Sequence, residues 1–314
     1  MDADLMRLED DSNPNVPPEP KPLVIYHGGG CFDGFCCAWL FHRAMADAEL
    51  LPAKHGDPAP DVTGRRVYLA DFTYPRAAMI EMVRQCRGRL TVLDHHKTAM
   101  QDLVNLHTAV PREELDEVPQ VHFDMKKSGG RLVWEYLWDT IYGLKFESIW
   151  TTYKRVNRDS APWLVDLTED RDLWRWAIPE SRQMNAALRS YPMDFTVWDG
   201  FDSEPGMPQR LAMEGSTILR REAQIVEQHV RRAKPVTIAG HTVPAVNATV
   251  LFSEIAGELA KGQPFAATYF DRNDGLRQWS LRSDEKGLDV SEIAKQFGGG
   301  GHPRAAGYEE RLGA

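Results

Sequence analysis

The sequence lacks the long apolar runs and the paired cysteines that mark membrane proteins and disulfide-rich secreted proteins. No apolar run approaches the ~20 residues that a membrane-spanning helix needs, and residues 1–22 are acidic and proline-rich, unlike a signal peptide. The four cysteines, Cys31, Cys36, Cys37 and Cys86, show no CxxC spacing, so we expect reduced thiols. These absences predict a cytoplasmic protein that has no membrane partner.

Basic tracts are scarce as well. The formal charge is −9 at pH 7, and the tail at residues 1–22 holds six acidic against two basic side chains. Proteins that follow long nucleic acid draw affinity from many Lys and Arg contacts with phosphate, and outside residues 220–234 no basic cluster is evident. We therefore expect a small nucleotide or a short oligonucleotide as substrate, and no long duplex as partner.

At 314 residues the chain is long enough for two domains, because single cores stop growing near ~250 residues. Three short apolar runs, LVIYH, VYLAD and LTVLD, are each followed by a loop and a segment with helical periodicity. This alternation predicts an α/β fold in which helices cover the faces of a parallel sheet.

The remaining sequence predicts a second, smaller α/β domain. Residues 208–234 repeat apolar side chains every seven positions and predict one long helix, and strand-like runs follow Pro235. A tryptophan-rich helical region precedes them, and we expect its tryptophans to pack in the core: Trp134, Trp138, Trp150, Trp163, Trp174 and Trp176. The predicted division is a disordered tail at 1–22, a catalytic domain at 23–200, a connector helix at 201–235 and a substrate-binding domain at 236–314.

Acidic and histidine side chains collect at the ends of the predicted strands. His27, Asp71 and Asp94 end the three apolar runs, and the carboxyl ends of parallel strands share one edge of a sheet. Carboxylates and imidazoles suit Mn²⁺ or Mg²⁺ better than structural zinc, which favours thiolates, so we expect a two-metal centre. The further candidates near these strand ends are Asp33, His95, His96, Asp170 and Asp172.

A glycine-rich segment near the C-terminus is the second candidate site. Residues 298–301 are four glycines, and His302, Pro303 and Arg304 follow them. Glycine frees the backbone to wrap a ligand, and Pro303 suits the first turn of a helix, whose N-terminus would bind an anion. Arg282 can bind phosphate through two hydrogen bonds. The segment therefore predicts a phosphate site, with a purely structural glycine turn as the alternative.

Taken in order, these motifs resemble those of the DHH phosphoesterase family, which includes nanoRNases, pAp phosphatases, cyclic-dinucleotide phosphodiesterases, RecJ-type exonucleases and manganese pyrophosphatases. YHGGGCFDGFCCAW is similar to the first motif of the family, LADF to the second, LDHH to the third and TEDRD to the fourth. SLRS and DVSEIAKQFGGGGHPRAAG resemble the associated C-terminal domain. The resemblance covers almost the whole chain after the tail.

The resemblance implies a centre of two divalent ions, with Mn²⁺ as the expected metal. One ion would be held by His27, Cys31 and Asp71, and the other by Asp33, Asp71, His95 and Asp170, with Asp71 as the bridge. The family match favours Asp170 over Asp172. The ions would share a hydroxide that attacks phosphorus in line.

The resemblance also implies roles around the metals. Asp94 would orient His95, and His96 would face the phosphate or the leaving group as a catalytic residue. The C-terminal domain would bind the substrate through seven residues: Arg282, Ser283, Gly299, Gly300, Gly301, His302 and Arg304.

The first motif departs from the family pattern at Cys31, where most members have aspartate. Cys31 could ligate a metal as thiolate and favour a softer ion, or it could leave the position to water. A third interpretation makes it a small packing residue, like Cys36 and Cys37 on the following helix. The sequence leaves these interpretations open.

The expected function is hydrolysis of phosphoester bonds in short oligonucleotides or small nucleotides, such as pAp or linear or cyclic dinucleotides. The alternatives are a pyrophosphatase or exopolyphosphatase, a RecJ-like single-strand exonuclease, and a nucleotide-binding sensor without hydrolysis, which only Cys31 favours. The oligomeric state is not determined by the sequence, and a homodimer is left open.

Overall fold

A computed structural model describes residues 20–142 and 159–312. The predicted tail falls almost wholly outside these ranges, and so does Trp150. Among the described residues, no helix is long and apolar enough to span a bilayer.

Five parallel strands form the first sheet, in the order β2-β1-β3-β4-β5. They are β1 (Leu23–His27), β2 (Glu49–Ala53), β3 (Val67–Ala70), β4 (Leu90–Asp94) and β5 (Gln120–Phe123). The central strands β3 and β4 are buried along their whole length, as expected when helices cover both faces of a parallel sheet. The predicted α/β fold class is confirmed. The edge strands β2 and β5 were missed because they carry exposed residues and no continuous apolar run.

Helices cover both faces of the first sheet. Val24 of β1 packs into a cluster around Trp39 and Trp198, whereas Ile25 packs into a cluster around Met79 on the opposite face. The helices up to the second sheet are α1 (Phe32–Ala44), α2 (Arg76–Gln85), α3 (Lys97–Asp102), α4 (Gly129–Leu137), α5 (Trp163–Asp172), α6 (Ser181–Leu188), α7 (Phe195–Ser203) and α8 (Met207–Val230), with short 3₁₀ turns at Leu106–Thr108 and Arg112–Glu114 and a π-helix at Trp138–Tyr142.

The second sheet is mixed and has the strand order β10-β11-β9-β8-β7-β6. Only the β7–β8 pair is parallel among the described pairs. The strands are β6 (Lys234–Ile238), β7 (His241–Asn247), β8 (Ala266–Asp271), β9 (Leu276–Arg282), β10 (Gly300–His302) and β11 (Ala305–Arg311), with α9 (Phe252–Leu259) and α10 (Val290–Lys295) between them.

Two sequence-based expectations need correction. The long helix α8 ends at Val230, before the predicted limit of 234, because Lys234 already starts β6. The tryptophans of the helical region do not all pack in the core. Trp134 is buried, but Trp174 is 43% exposed.

The second sheet meets the first through α3. Lys97 Nζ lies 2.7 Å from Asp289 Oδ2 and 3.2 Å from Glu292 Oε1. A Cβ added at Gly300 of β10 would lie 2.9 Å from Thr98 Oγ1. The strand that carries His302 therefore packs directly beside the residues that follow the LDHH motif.

Candidate metal centre

The polar side chains predicted at the strand ends meet at one edge of the first sheet. His27 is the last residue of β1, Asp94 is the last residue of β4, and Asp71 directly follows β3, which lies between them. Because these strands are parallel, their carboxyl ends bring the three side chains together. Asp71 is 2% exposed and Asp94 is fully buried, so these two carboxylates are sheltered from bulk water.

The first group of potential metal ligands comprises His27, Cys31 and Asp71. Cys31 Sγ lies 3.3 Å and His27 Nδ1 3.4 Å from Asp71 Oδ2. Cys31 is also the N-cap of α1, where its sulfur accepts a hydrogen bond from the Gly34 N–H at 3.5 Å. The three potential ligand atoms lie within 4.8 Å of one another. Cys31, at which the first motif differs from the family pattern, therefore lies close to a nitrogen donor and an oxygen donor.

The second group is built around His95. Its Nε2 lies 3.0 Å from Asp71 Oδ1, and 3.5 Å from both Asp33 Oδ2 and Asp172 Oδ2. Asp71 thus presents one carboxylate oxygen to each group. This is the position that a carboxylate bridging two ions would occupy.

Local backbone geometry holds the two central carboxylates. Asp71 has a φ of 57°, in the left-handed region that non-glycine residues rarely adopt. The N-terminus of α4 packs against it so closely that a Cβ on Gly129 would lie 2.6 Å from Asp71 Cβ. The N–H groups of Gly129 and Gly130 donate to the Asp33 carboxylate at 2.6 and 2.9 Å. Both glycines are needed here for close approach.

The structure brings Asp172, and not Asp170, to this centre. Asp170 accepts a hydrogen bond from the Ala177 N–H at 2.7 Å, and its carbonyl oxygen accepts one from Arg175 at 2.8 Å. Asp170 therefore closes the turn that follows α5. This geometry favours Asp172 over the sequence-based choice, Asp170, as a potential ligand.

The Asp94 carboxylate contacts the next two residues. Its Oδ1 accepts hydrogen bonds from the His95 and His96 backbone N–H groups and lies 2.7 Å from His96 Nδ1. His95 Nδ1 makes no hydrogen bond among the described residues. The Asp94 carboxylate therefore contacts the His96 ring, whereas its contact with His95 is to the backbone N–H.

Electrostatic interactions favour the ionised form of the Asp71 carboxylate. Burial alone would raise its pKa, but the adjacent His27 and His95 rings hold the pKa of Asp71 well below its usual range. Burial raises the pKa of Asp33 and of Asp172, and the Asp71 charge adds to both effects. Burial would lower the pKa of His95, but Asp71 and Asp172 outweigh it and raise that pKa. A divalent cation would relieve the repulsion among these carboxylates.

The second sheet contributes His302 to the same place. The His302 ring stacks on His96 with centroids 4.6 Å apart and lies 4.8 Å from His95. Burial and the two neighbouring histidines lower the pKa of His302, so its ring is neutral. The expectation that Pro303 begins a helix is wrong, because residues 300–311 form the hairpin of β10 and β11.

The glycines before His302 have steric roles in this hairpin. A Cβ at Gly299 would lie 2.1 Å from the Gly307 carbonyl oxygen, and Gly301 has a φ of 136°. Gly300, which faces Thr98, allows β10 and α3 to approach each other. A phosphate site at a helix N-terminus, as we expected, is therefore not formed by these residues.

The other predicted substrate-binding side chains differ in the contacts that they make. Arg282 is partly buried and donates to Ser253 Oγ at 2.6 Å, and burial lowers its pKa to about 10. Arg304 donates to the Glu285 carbonyl at 2.9 Å, and Ser283 Oγ lies 3.4 Å from the Pro303 carbonyl. Arg304 and Ser283 thus contact nearby backbone carbonyls. Arg282 differs from them, because its positive charge helps to lower the pKa of His302.

Arg171 is a candidate that the sequence analysis missed. It lies between Asp170 and Asp172 in the TEDRD motif, and burial and the nearby Arg189 lower its pKa, whereas Asp172 and Cys31 raise it. Among the residues described by the structure, we find no hydrogen bond or ion pair to its side chain. The sequence feature that could have identified Arg171 is its position as the basic residue between two acidic residues of one motif.

Comparisons with known proteins identify two relatives, although no family model matches the chain. The oligoribonuclease NrnB of Bacillus subtilis (strain 168) is 29% identical over 233 residues, which cover 70% of this chain and 52% of NrnB. The uncharacterized protein R106 of Acanthamoeba polyphaga mimivirus is 25% identical over 316 residues, covering 91% of this chain and 66% of R106. The chain thus spans between about half and two thirds of these relatives.

Among solved structures, RecJ from Thermus thermophilus in complex with Mn²⁺ aligns with a TM-score of 0.47 and 14% identity. The alignment covers 92% of this chain and 49% of RecJ.

Proposed function

We propose that the chain is a member of the DHH phosphoesterase family, on its ordered motifs and its similarity to NrnB, and that it hydrolyses phosphoester bonds in short oligonucleotides or small nucleotides with the help of two divalent ions. The observation that carries the proposal is the position of Asp71, whose two carboxylate oxygens face separate groups of nitrogen, sulfur and oxygen donors. The similarity to NrnB, an oligoribonuclease by name, supports the substrate class.

The donor atoms fit divalent ions. His27 Nδ1 and Asp172 Oδ2 are buried, yet neither makes a hydrogen bond among the described residues, and buried polar atoms normally have a partner. We propose His27, Cys31 and Asp71 as ligands of one ion. For the other ion we propose Asp33, Asp71, His95 and Asp172. Because most of these donors are carboxylates and imidazoles, Mn²⁺ is the proposed metal.

When bound, the ions would supply an activated water and neutralise charge on the phosphate. Asp71 and Asp33 are held in place by the close packing and the N–H groups of α4, so ion binding requires little rearrangement of them. Asp94 holds His96 through Nδ1 at 2.7 Å, which leaves Nε2 as the atom that can hold or release a proton. Burial would lower the pKa of His96, but Asp94 outweighs it and raises that pKa. We propose His96 as the proton donor to the leaving oxygen.

We propose that the phosphate of the substrate contacts Arg171, Arg282 and His302. Arg171 and Arg282 are partly buried cations near the centre, and a phosphate oxygen is a natural partner for a guanidinium. His302 lies against both histidines of the LDHH motif. This small set of contacts, without a long basic groove, favours a substrate of a few nucleotides.

These contacts indicate which part of the chain carries each function. We propose residues 23–200 as the catalytic domain and 236–314 as the substrate-binding domain, with 201–235 as the connector. The cytoplasm remains the proposed compartment, on the composition described above.

Product analysis tests the proposal. Metal-stripped protein, with and without added Mn²⁺, is incubated with 5′-labelled di- to decanucleotides, pAp, cyclic dinucleotides and pyrophosphate. We expect mononucleotides from dinucleotides, and only with the ion. Preferred hydrolysis of pyrophosphate would identify a pyrophosphatase, and processive degradation of the longest strand a RecJ-like exonuclease. Binding of a dinucleotide without turnover under every metal would identify a sensor.

A further inference from the structure

We propose that Trp174 is a stacking platform for a base of the substrate, so that the protein selects nucleotides over phosphate compounds that lack a base. This inference rests on the proposed function. Trp174 is the one tryptophan among the described residues that is exposed, at 43%. Trp39, Trp134 and Trp198, in contrast, are buried in the core.

The backbone holds Trp174 in a conformation that its bulk disfavours. Trp174 and Trp176 have φ values of 56° and 54°, and a bulky residue in the left-handed region is a conformational outlier. Hydrogen bonds to Asp170 maintain the turn: Arg175 N–H donates to its carbonyl at 2.8 Å and Ala177 N–H to its carboxylate at 2.7 Å. Strain of this kind is concentrated at functional sites. Because the indole of Trp174 is exposed, burial of the ring does not offset the free-energy cost of this backbone conformation.

The ring has a defined orientation. Trp176 packs against it edge to face with centroids 5.0 Å apart. Trp176 is itself held by the Arg182 guanidinium, which lies 4.2 Å from its ring centroid. A platform that is already ordered costs less conformational entropy on binding than a free side chain does.

The location of Trp174 connects the metal centre with the second domain. Asp172, two residues before it, lies 3.5 Å from His95 Nε2. On the other side, a Cβ added at Gly257 of α9 would lie 4.0 Å from Trp174 Cζ2. The same helix contacts Arg282 through Ser253. The indole is therefore at the junction of the elements that carry the metal ligands and the phosphate-binding arginine.

Stacking on an aromatic side chain suits every base, because each base presents a π face. The expected contribution is a change in KM of about 5- to 140-fold, which corresponds to about 1 to 3 kcal/mol at about 1.4 kcal/mol per tenfold. The proton-transfer machinery does not include Trp174, so kcat should change less than KM.

The test compares Trp174→Ala with Trp174→Phe, which keeps an aromatic ring. The substrates are a dinucleotide and its abasic counterpart, two baseless sugars joined by the same phosphodiester. We expect Trp174→Ala to raise KM for the dinucleotide about 5- to 140-fold and for the abasic compound far less, with Trp174→Phe close to the parent. Met213→Ala, at a 77% exposed position of α8, controls for handling. Trp174→Gly, which suits the positive φ, replaces Trp174→Ala if circular dichroism shows misfolding.

Equilibrium binding provides a second readout. A methylene-bridged dinucleotide, which resists hydrolysis, should quench tryptophan emission in the parent and should quench less in Trp174→Phe. Equal loss of activity on the dinucleotide and on the abasic compound, or equal quenching in both proteins, would overturn the inference. A parent that hydrolyses no phosphoester with any metal would instead refute the proposed function, so the two failures are distinguishable.

Discussion

Replacement of Asp170 and Asp172 by alanine, one at a time, separates a structural carboxylate from a metal ligand. The two residues are chemically identical and two positions apart. The structure places Asp172 Oδ2 3.5 Å from His95 Nε2, whereas the Asp170 carboxylate accepts from the Ala177 N–H. The two variants should therefore fail in different assays.

Asp172→Ala should weaken Mn²⁺ binding about 10- to 150-fold, if the lost anionic contact has the ~1.5 to 3 kcal/mol of a charged hydrogen bond. Its unfolding temperature in chelator should stay the same or rise. The sign follows from the pKa of Asp172, which burial raises. At neutral pH a carboxylate with a raised pKa destabilises the fold, so removal of its charge carries no stability cost.

Asp170→Ala should have the opposite profile. The hydrogen bond between the buried Asp170 carboxylate and the Ala177 N–H is lost, which costs about 1 to 3 kcal/mol and lowers the unfolding temperature by about 2 to 10 °C. Its Mn²⁺ affinity should match the parent. Calorimetric titration with Mn²⁺ and thermal unfolding in chelator measure the two quantities. If Asp170→Ala loses the ion and Asp172→Ala retains it, the structural assignment is wrong and the sequence-based one stands.

Four further outcomes are expected. Asp71→Asn should reduce turnover at least ~100-fold because both ions lose an anionic ligand, and full turnover of the metal-stripped parent would exclude two-metal catalysis. Cys31→Ser should weaken ion binding and Cys31→Asp should keep Mn²⁺-supported turnover; unchanged ion affinity in both variants would make Cys31 a packing residue. Arg282→Ala and His302→Ala should each raise KM by ~10-fold or more, with a smaller effect on bis-p-nitrophenyl phosphate, and equal effects on both substrates would argue against a phosphate contact. Because the pKa of His95 is raised and its proton competes with the ion, Mn²⁺ affinity measured by calorimetry should fall from about pH 8 to about pH 6, and a flat profile would contradict this competition.

The sequence predicted the central part of the first sheet because β3 and β4 are buried on both faces and therefore form continuous apolar runs. The edge strand β2 includes Pro52 and exposed residues, so neither alternation nor a continuous run reveals it. Its pairing with β1 depends on contacts far apart in the chain. The same limit applies to the C-terminal hairpin, since a run of glycines is compatible with a turn, a strand or a helix N-terminus.

Within the candidate centre, strand order explains why the predicted residues meet, but side-chain direction was not accessible. Asp170 and Asp172 are separated by two positions at the end of α5, where successive side chains point to different faces. Which of them faces His95 depends on how the helix packs against the sheet. The partner of Asp94 is likewise decided by the conformation of the turn at His96, which residue types alone do not specify.

The contact between Gly300 and Thr98 limits how this chain can vary. The two halves of the proposed site lie close enough together that one added methyl group at position 300 would collide with the Thr98 hydroxyl. Every single-base change that replaces a glycine codon with that of another amino acid introduces at least that carbon atom. Substitution at position 300 is therefore restricted by the spacing between β10 and α3, and a smaller side chain at position 98 would be the simplest compensating change.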